Sequence, residues 1–161
     1  MRICLIGSGL TSLALAKALV NQNIHVDILR DKKKQIIDQS RTIGITKSNV
    51  EYFNNNIVNI DKIIWKLNKI EIFSEKLNQE KLLEFLNNNQ ELFSMFRSFD
   101  LYNILKKSLK SNKFFKIQKK TNLANIQNKY NLLINLNFSN IISKKFFNKK
   151  IVKKYKSLYL F

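Results

Sequence analysis

Few residues of this chain could carry chemistry on their own. A single histidine, His25, and a single cysteine, Cys4, leave no set for a multi-histidine or cysteine metal site and none for a His-based nucleophilic triad. Glu80, Glu84 and Glu91 fall at helical or near-helical spacing and read as surface charge. What remains is a turn. Gly7-Ser8-Gly9 stands between the apolar run Arg2-Ile3-Cys4-Leu5-Ile6 and the alanine-rich stretch Leu10-Thr11-Ser12-Leu13-Ala14-Leu15-Ala16-Lys17-Ala18-Leu19-Val20. Gly7 permits a sharp exit from a strand, and Gly9, lacking a side chain, lets a pyrophosphate approach the backbone. A helix starting at Leu10 then offers free N–H groups and a partial positive charge to that phosphate. Ser12 occupies the third glycine position of the G-x-G-x-x-G pattern and is small enough for close helix–strand packing. The acid expected at the end of the next strand, to hold ribose hydroxyls, is absent at Arg30. Asp31 lies one place later and serves only if the strand end shifts.

The elements needed to position that turn are legible. A buried strand at Arg2–Ile6, a helix at Leu10–Val20 and a second strand at Ile24–Leu29 make a βαβ unit of about thirty residues. His25 sits on the second strand, where a structural role is expected. Downstream, Ser40–Thr46 reads as a short strand and Ser48–Phe53 as a helix broken by Asn54-Asn55-Asn56. Ile60–Leu67 is an apolar-periodic piece carrying the single Trp65, and Lys69–Ser74 alternates like a half-buried strand. Glu80–Leu86 and Glu91–Met95 are further short elements, and Leu92, Phe93, Met95, Phe96 and Phe99 form an apolar cluster suited to a core. Ser98 has the character of an N-cap, followed by Leu101, Leu105 and Leu109 along one helix face. Phe114–Ile117 and Tyr130–Leu136 are expected strands. Ser157–Phe161 is a strand-like run with no closing turn, so the chain is expected to be truncated after 161.

Composition bounds the class. At 161 residues and 45% hydrophobic, the chain can build one domain with a real core. No apolar run is long enough to span a bilayer, and the start lacks a signal-peptide layout. A lone cysteine inside a strand fits a reducing cytoplasm, with the inner membrane face as a peripheral location. The formal charge of +18 comes from 25 Lys and only 4 Arg, in a chain with no Pro and 3 Gly. That profile matches AT-rich coding bias. Scarce arginine argues against specific nucleic-acid recognition, which draws on bidentate and stacking contacts.

Three blocks occur in the order seen in one family: Gly7-Ser8-Gly9-Leu10-Thr11 with Leu13-Ala14-Leu15-Ala16, then Ser40-Arg41-Thr42-Ile43-Gly44-Ile45-Thr46-Lys47-Ser48, then Arg97-Ser98-Phe99-Asp100-Leu101-Tyr102-Asn103-Ile104-Leu105. With these the chain resembles the N-terminal part of the FAD-dependent aromatic-ring hydroxylases of ubiquinone biosynthesis, which are similar to para-hydroxybenzoate hydroxylase. The resemblance implies an α/β, Rossmann-like FAD-binding fold, incomplete at 1–161, with substrate-region strands within 66–97. It implies FAD as cofactor, with Gly7, Ser8, Gly9, Leu10, Thr11 and Ser12 at the pyrophosphate and Arg41 and Arg97 near the cofactor. Intact relatives would take electrons from NAD(P)H and hydroxylate a lipid-like polyprenyl phenol. The family's Asp-x-x-x-x-x-Asp-Gly run should fall near Tyr130–Ser139, where Asn131 replaces the first Asp and Asn137-Phe138 the Asp-Gly pair. The chain alone is therefore expected to be inactive, a second polypeptide being one source of the missing half. The alternatives are a non-catalytic nucleotide-binding remnant and a basic protein bound to nucleic acid or a membrane surface.

Overall fold

The computed structural model describes residues 1–30, 38–75, 80–86, 91–119 and 129–137. The expected strand–turn–helix–strand unit is present as β1 (Arg2–Ile6), α1 (Leu10–Asn21) and β2 (His25–Arg30). Asn23 closes α1 with φ of 58°, a left-handed conformation asparagine tolerates. The amides of Asn23 and Ile24 then return to the carbonyls of Val20 and Leu19, at 3.0 and 3.2 Å. The chain continues through β3 (Thr42–Ile45), α2 (Lys47–Asn56), β4 (Trp65–Leu67), β5 (Lys69–Phe73), β6 (Lys81–Leu86), β7 (Phe93–Arg97), α3 (Ser98–Lys110), β8 (Phe115–Lys119) and β9 (Leu132–Asn135).

Among the described residues the strands form three sheets. The largest is parallel, in the order β8-β2-β1-β9; β3-β7-β4 and the hairpin β5-β6 are antiparallel. Register explains the apolar run of β1. Ile3 and Leu5 pair with Val26 and Ile28 and face the helices, while Cys4 and Ile6 join Leu29 and Tyr130 on the other face. Both faces of β1 are covered, so no alternation survives in its sequence. Leu101, Leu105 and Leu109 of α3 are buried in the same core as Leu13, Ala16 and Val20 of α1, and α1 packs against α3. Each fully buried leucine contributes on the order of 2 kcal/mol.

Four local expectations are corrected. Asn54-Asn55-Asn56 does not break α2. The helix runs through these residues, and Asn21 of α1 donates its side-chain amide to the carbonyls of Asn56 and Ile57, at 2.8 and 2.9 Å. Ser98 is the first residue of α3 rather than its cap: Arg97 holds the cap position, and the Ser98 hydroxyl turns to the carbonyl of Asp38. β5 is a strand, but mostly exposed. Ile72, Leu83 and Phe85 share one open face of the hairpin, and Lys69 and Lys81 pair with Glu71 and Glu84 on the other. Glu84 therefore belongs to a strand, not to a helical surface. Cys4 is buried as expected, and exposed His25 sets its ring edge-on to Phe114 at 4.8 Å.

Candidate functional site

The turn expected to do chemistry lies where the parallel sheet reverses its order. From β1 the chain builds outward through β2 to β8, and β9 then pairs with the opposite side of β1. Gly7–Gly9 leaves the C-terminal end of β1 at that reversal, the crevice in which α/β sheets of this kind hold nucleotides. The amide of Gly7 reaches the Leu29 carbonyl of β2 at 3.3 Å, and the Leu136 amide reaches the Ile6 carbonyl at 2.9 Å. The ends of β2, β1 and β9 are thereby held side by side.

The two glycines differ physically. Gly7 has φ of 125°, which L side chains rarely adopt, and a Cβ there would stand 3.2 Å from the Ser12 hydroxyl and 3.5 Å from the Leu136 backbone. The fold alone accounts for Gly7, and buried Ser12 fills the space beneath it. Gly9, with φ of −77° and ψ of −179°, has a conformation open to any residue. Its lack of a side chain is not required by the backbone. Gly9 is also the N-cap of α1, with no side-chain cap bond and no acid in the first turn. The first amides of α1, from Leu10 and exposed Thr11 onward, thus have no intrahelical acceptor and point toward the turn. An unneutralised helix start beside a glycine that the backbone does not demand suits a phosphate anion.

β2 ends at Arg30, which is exposed and in register with Lys119 of β8. A cation therefore occupies the strand end where an acid would meet ribose hydroxyls. Asp31 lies outside the described residues. On the other flank, Asn131 is engaged in the sheet: its side-chain oxygen accepts the Arg2 amide at 2.7 Å, and its own amide donates to the Arg2 carbonyl at 2.9 Å. Asn137 follows Leu136, which lies against Gly7, and its amide is bonded to the Asn135 side chain at 3.1 Å. Phe138 lies outside the described residues.

Arg41 and Arg97 are brought together. Thr42 pairs with Arg97 across β3 and β7, and the Ser98 amide donates to the Arg41 carbonyl at 2.9 Å. Both arginines are exposed, and the Arg97 guanidinium lies 5.6 Å from the centroid of the Trp65 ring. Nearby, the Ser40 hydroxyl and amide both donate to the Asp38 carboxylate and hold it below the usual carboxylate range, with a smaller contribution from the Arg41 charge. Because α3 leads into the start of β8, its N-terminus opens toward the same edge of the parallel sheet as that of α1. A shallow groove of about 450 Å³, lined by Val20, Asn21, Ser111 and Phe114 among others, lies at the opposite end of these helices.

Sequence reasoning missed Asp27. This acid is 2% exposed in the middle of β2 and gathers Arg2, Gln118 and Tyr130 around one oxygen. Its signal was present: a lone acid flanked by Val26, Ile28 and Leu29 in a strand apolar on both faces. Among the described residues, no group of His, Cys, Asp or Glu could hold a metal ion.

No protein-family model and no curated protein sequence matches the chain. Solved structures do match. The p-nitrophenol 4-monooxygenase PnpA from Pseudomonas putida is 11% identical with a TM-score of 0.60, over 73% of this chain and 31% of that one. PqsL from Pseudomonas aeruginosa is 9% identical with a TM-score of 0.66, over 96% of this chain and 48% of that one. The flavin-dependent monooxygenase PieE, solved in complex with FAD and substrate, is 9% identical with a TM-score of 0.58, over 74% and 24%. The chain has the α/β fold of the N-terminal portion of flavin-dependent monooxygenases. It spans less than half the length of each of these structures.

Proposed function

We propose that the chain binds the adenosine diphosphate half of FAD and forms the N-terminal, cofactor-binding portion of a flavin-dependent monooxygenase. One observation carries this reading: an uncapped helix start behind Gly9, at the reversal point of a parallel sheet. Amides from Leu10, Thr11 and Ser12, with the turn through Gly7 and Ser8, would hold the diphosphate, and Asp31 would serve the ribose. Arg41 and Arg97, side by side where α3 begins, would approach the cofactor from the flank and pair with its oxygens.

The fit is good for the diphosphate and poorer for the ribose, since Arg30 holds the strand end. Bound FAD would supply the redox chemistry, accepting two electrons from NAD(P)H and placing one atom of O2 on a phenol while the other leaves as water. The resemblance supports a lipid-like polyprenyl phenol of the ubiquinone type as substrate. Strands within 66–97 would begin the substrate region, and the remainder of the site would come from sequence beyond this portion or from a second polypeptide. A cytoplasmic location accords with this reading. Among the described residues, no helix is long and apolar enough to cross a membrane.

A non-catalytic nucleotide-binding module is the second reading. It is favoured by the sheet bonds of Asn131, which leave the expected first acid of the later motif replaced by a structural amide. Titrating the purified chain into FAD tests the common core of both: saturable quenching of flavin fluorescence, reversed by ADP, is expected. Absence of quenching at every accessible concentration would contradict it.

A further inference from the structure

We propose that the exposed lysine stripe of α3, formed by Lys106, Lys107 and Lys110 with Lys113 in the following turn, docks the protein on an anionic lipid surface. The chain's charge is not evenly spread. Up to residue 100 there are fourteen cations against eleven acids; from 101 onward there are fifteen cations, all lysine, and no acid. A coding bias acting evenly would inflate lysine in both parts, but at the earlier density it would also leave about seven acids in the later one. Composition alone therefore does not account for this last part of the chain.

The fold turns the asymmetry into a surface. Leu101, Leu105 and Leu109 bury one side of α3, so Lys106, Lys107 and Lys110 project from the other and are exposed, as is Lys113. Elsewhere, Lys66, Lys69 and Lys81 are paired with Glu91, Glu71 and Glu84. No ion pair among the described residues involves the α3 lysines, and the sequence has no acid after Asp100 to provide a neighbour in the chain. Two of the lysines lie over aromatic rings, Lys106 at 5.8 Å from Tyr102 and Lys113 at 5.1 Å from Phe114. Rings with polar or cationic neighbours suit the headgroup level of a bilayer. The residue type separates lipid from nucleic acid. Base reading favours the planar arginine fork, and no arginine follows Arg97. Attraction to anionic headgroups scales with the number of charges, which lysine supplies as well.

The test is sedimentation of the full chain with vesicles of phosphatidylcholine alone or with about one-third phosphatidylserine, near 0.15 M salt. Wild type is expected to bind only the anionic vesicles. The triple variant Lys106→Gln, Lys107→Gln, Lys110→Gln should bind them about a hundredfold more weakly with an unchanged circular dichroism spectrum. Lys17→Gln, Lys47→Gln, Lys62→Gln removes the same charge elsewhere and should lose only a few-fold. Equal losses in the two variants, binding to neutral vesicles, or no binding by wild type would overturn the proposal. Tighter binding to DNA than to anionic vesicles at that salt would reassign the surface to nucleic acid.

Discussion

The phenol of Tyr130 donates to Oδ2 of Asp27 at 2.7 Å, joining residues 103 positions apart. The same oxygen accepts Nη2 of Arg2 at 2.8 Å and Nε2 of Gln118 at 2.6 Å. Arg2 belongs to β1, Asp27 to β2 and Gln118 to β8, while Tyr130 precedes β9. One carboxylate oxygen thus links β1, β2 and β8 to the segment that leads into β9. Asp27→Ala would strand a guanidinium and a buried phenol, with an expected loss of about 3 kcal/mol. Tyr130→Phe removes a single donor and should lose about 1 kcal/mol. Urea unfolding checks both; two variants as stable as wild type would show that the cluster is dispensable.

Burial, and secondarily the Asp27 carboxylate, push the Cys4 thiol up to about 12. Because the folded value lies above the ordinary 9.0, the associated stability is present below about pH 9 and is lost as pH rises toward 12. Tyr130, raised by burial and by its bond to Asp27, acts in the same sense. The urea midpoint should fall above pH 9, and less steeply in Cys4→Ala. Native protein should also resist a thiol-disulfide reagent at pH 8 and react fully once unfolded. Rapid native reaction would contradict the burial.

Gly44 has a packing requirement. A Cβ there would stand 2.6 Å from the Phe93 ring of β7, so Gly44→Ala must displace that ring from the β3–β7 face. A loss of about 1–3 kcal/mol is expected, and Phe93→Leu in the same chain should recover part of it. Thermal unfolding of the single and double variants measures the recovery.

Much of the parallel sheet and its helices was legible, because β1 and the Leu101–Leu105–Leu109 stripe obey simple burial periods. The turn was legible as a turn, because its glycines interrupt a buried strand just before a helix. Other features depend on partners distant in sequence. The asparagines of α2 look like a break until Asn21 of α1 supplies donors to the helix end. Ser98 looks like a cap until Asp38 claims its hydroxyl. Asp27 looks misplaced until Gln118 and Tyr130 close around it. The adjacency of Arg41 and Arg97 is set by β3–β7 register, which no local pattern encodes.

The contrast between Gly7 and Gly9 separates fold from function. Gly7→Ala forces an unfavourable φ and crowds Ser12 and Leu136, and should cost about 1–3 kcal/mol whether or not a ligand binds. Gly9→Ala keeps an allowed backbone and should cost less, about 1 kcal/mol or under, the loss expected when alanine replaces glycine at an N-cap. A large loss at Gly9 would mean that its glycine also serves the fold.

Calorimetric titration of ADP and FAD into wild type and Gly9→Val, with far-UV circular dichroism on both, tests the central claim most directly. A branched side chain at Gly9 occupies the approach that a diphosphate needs while leaving an allowed backbone in place. The expected result is saturable binding of both nucleotides by wild type, and at least a tenfold loss in Gly9→Val with the spectrum unchanged. Equal binding by the two proteins, or none by wild type, would contradict the assignment of this turn to the cofactor.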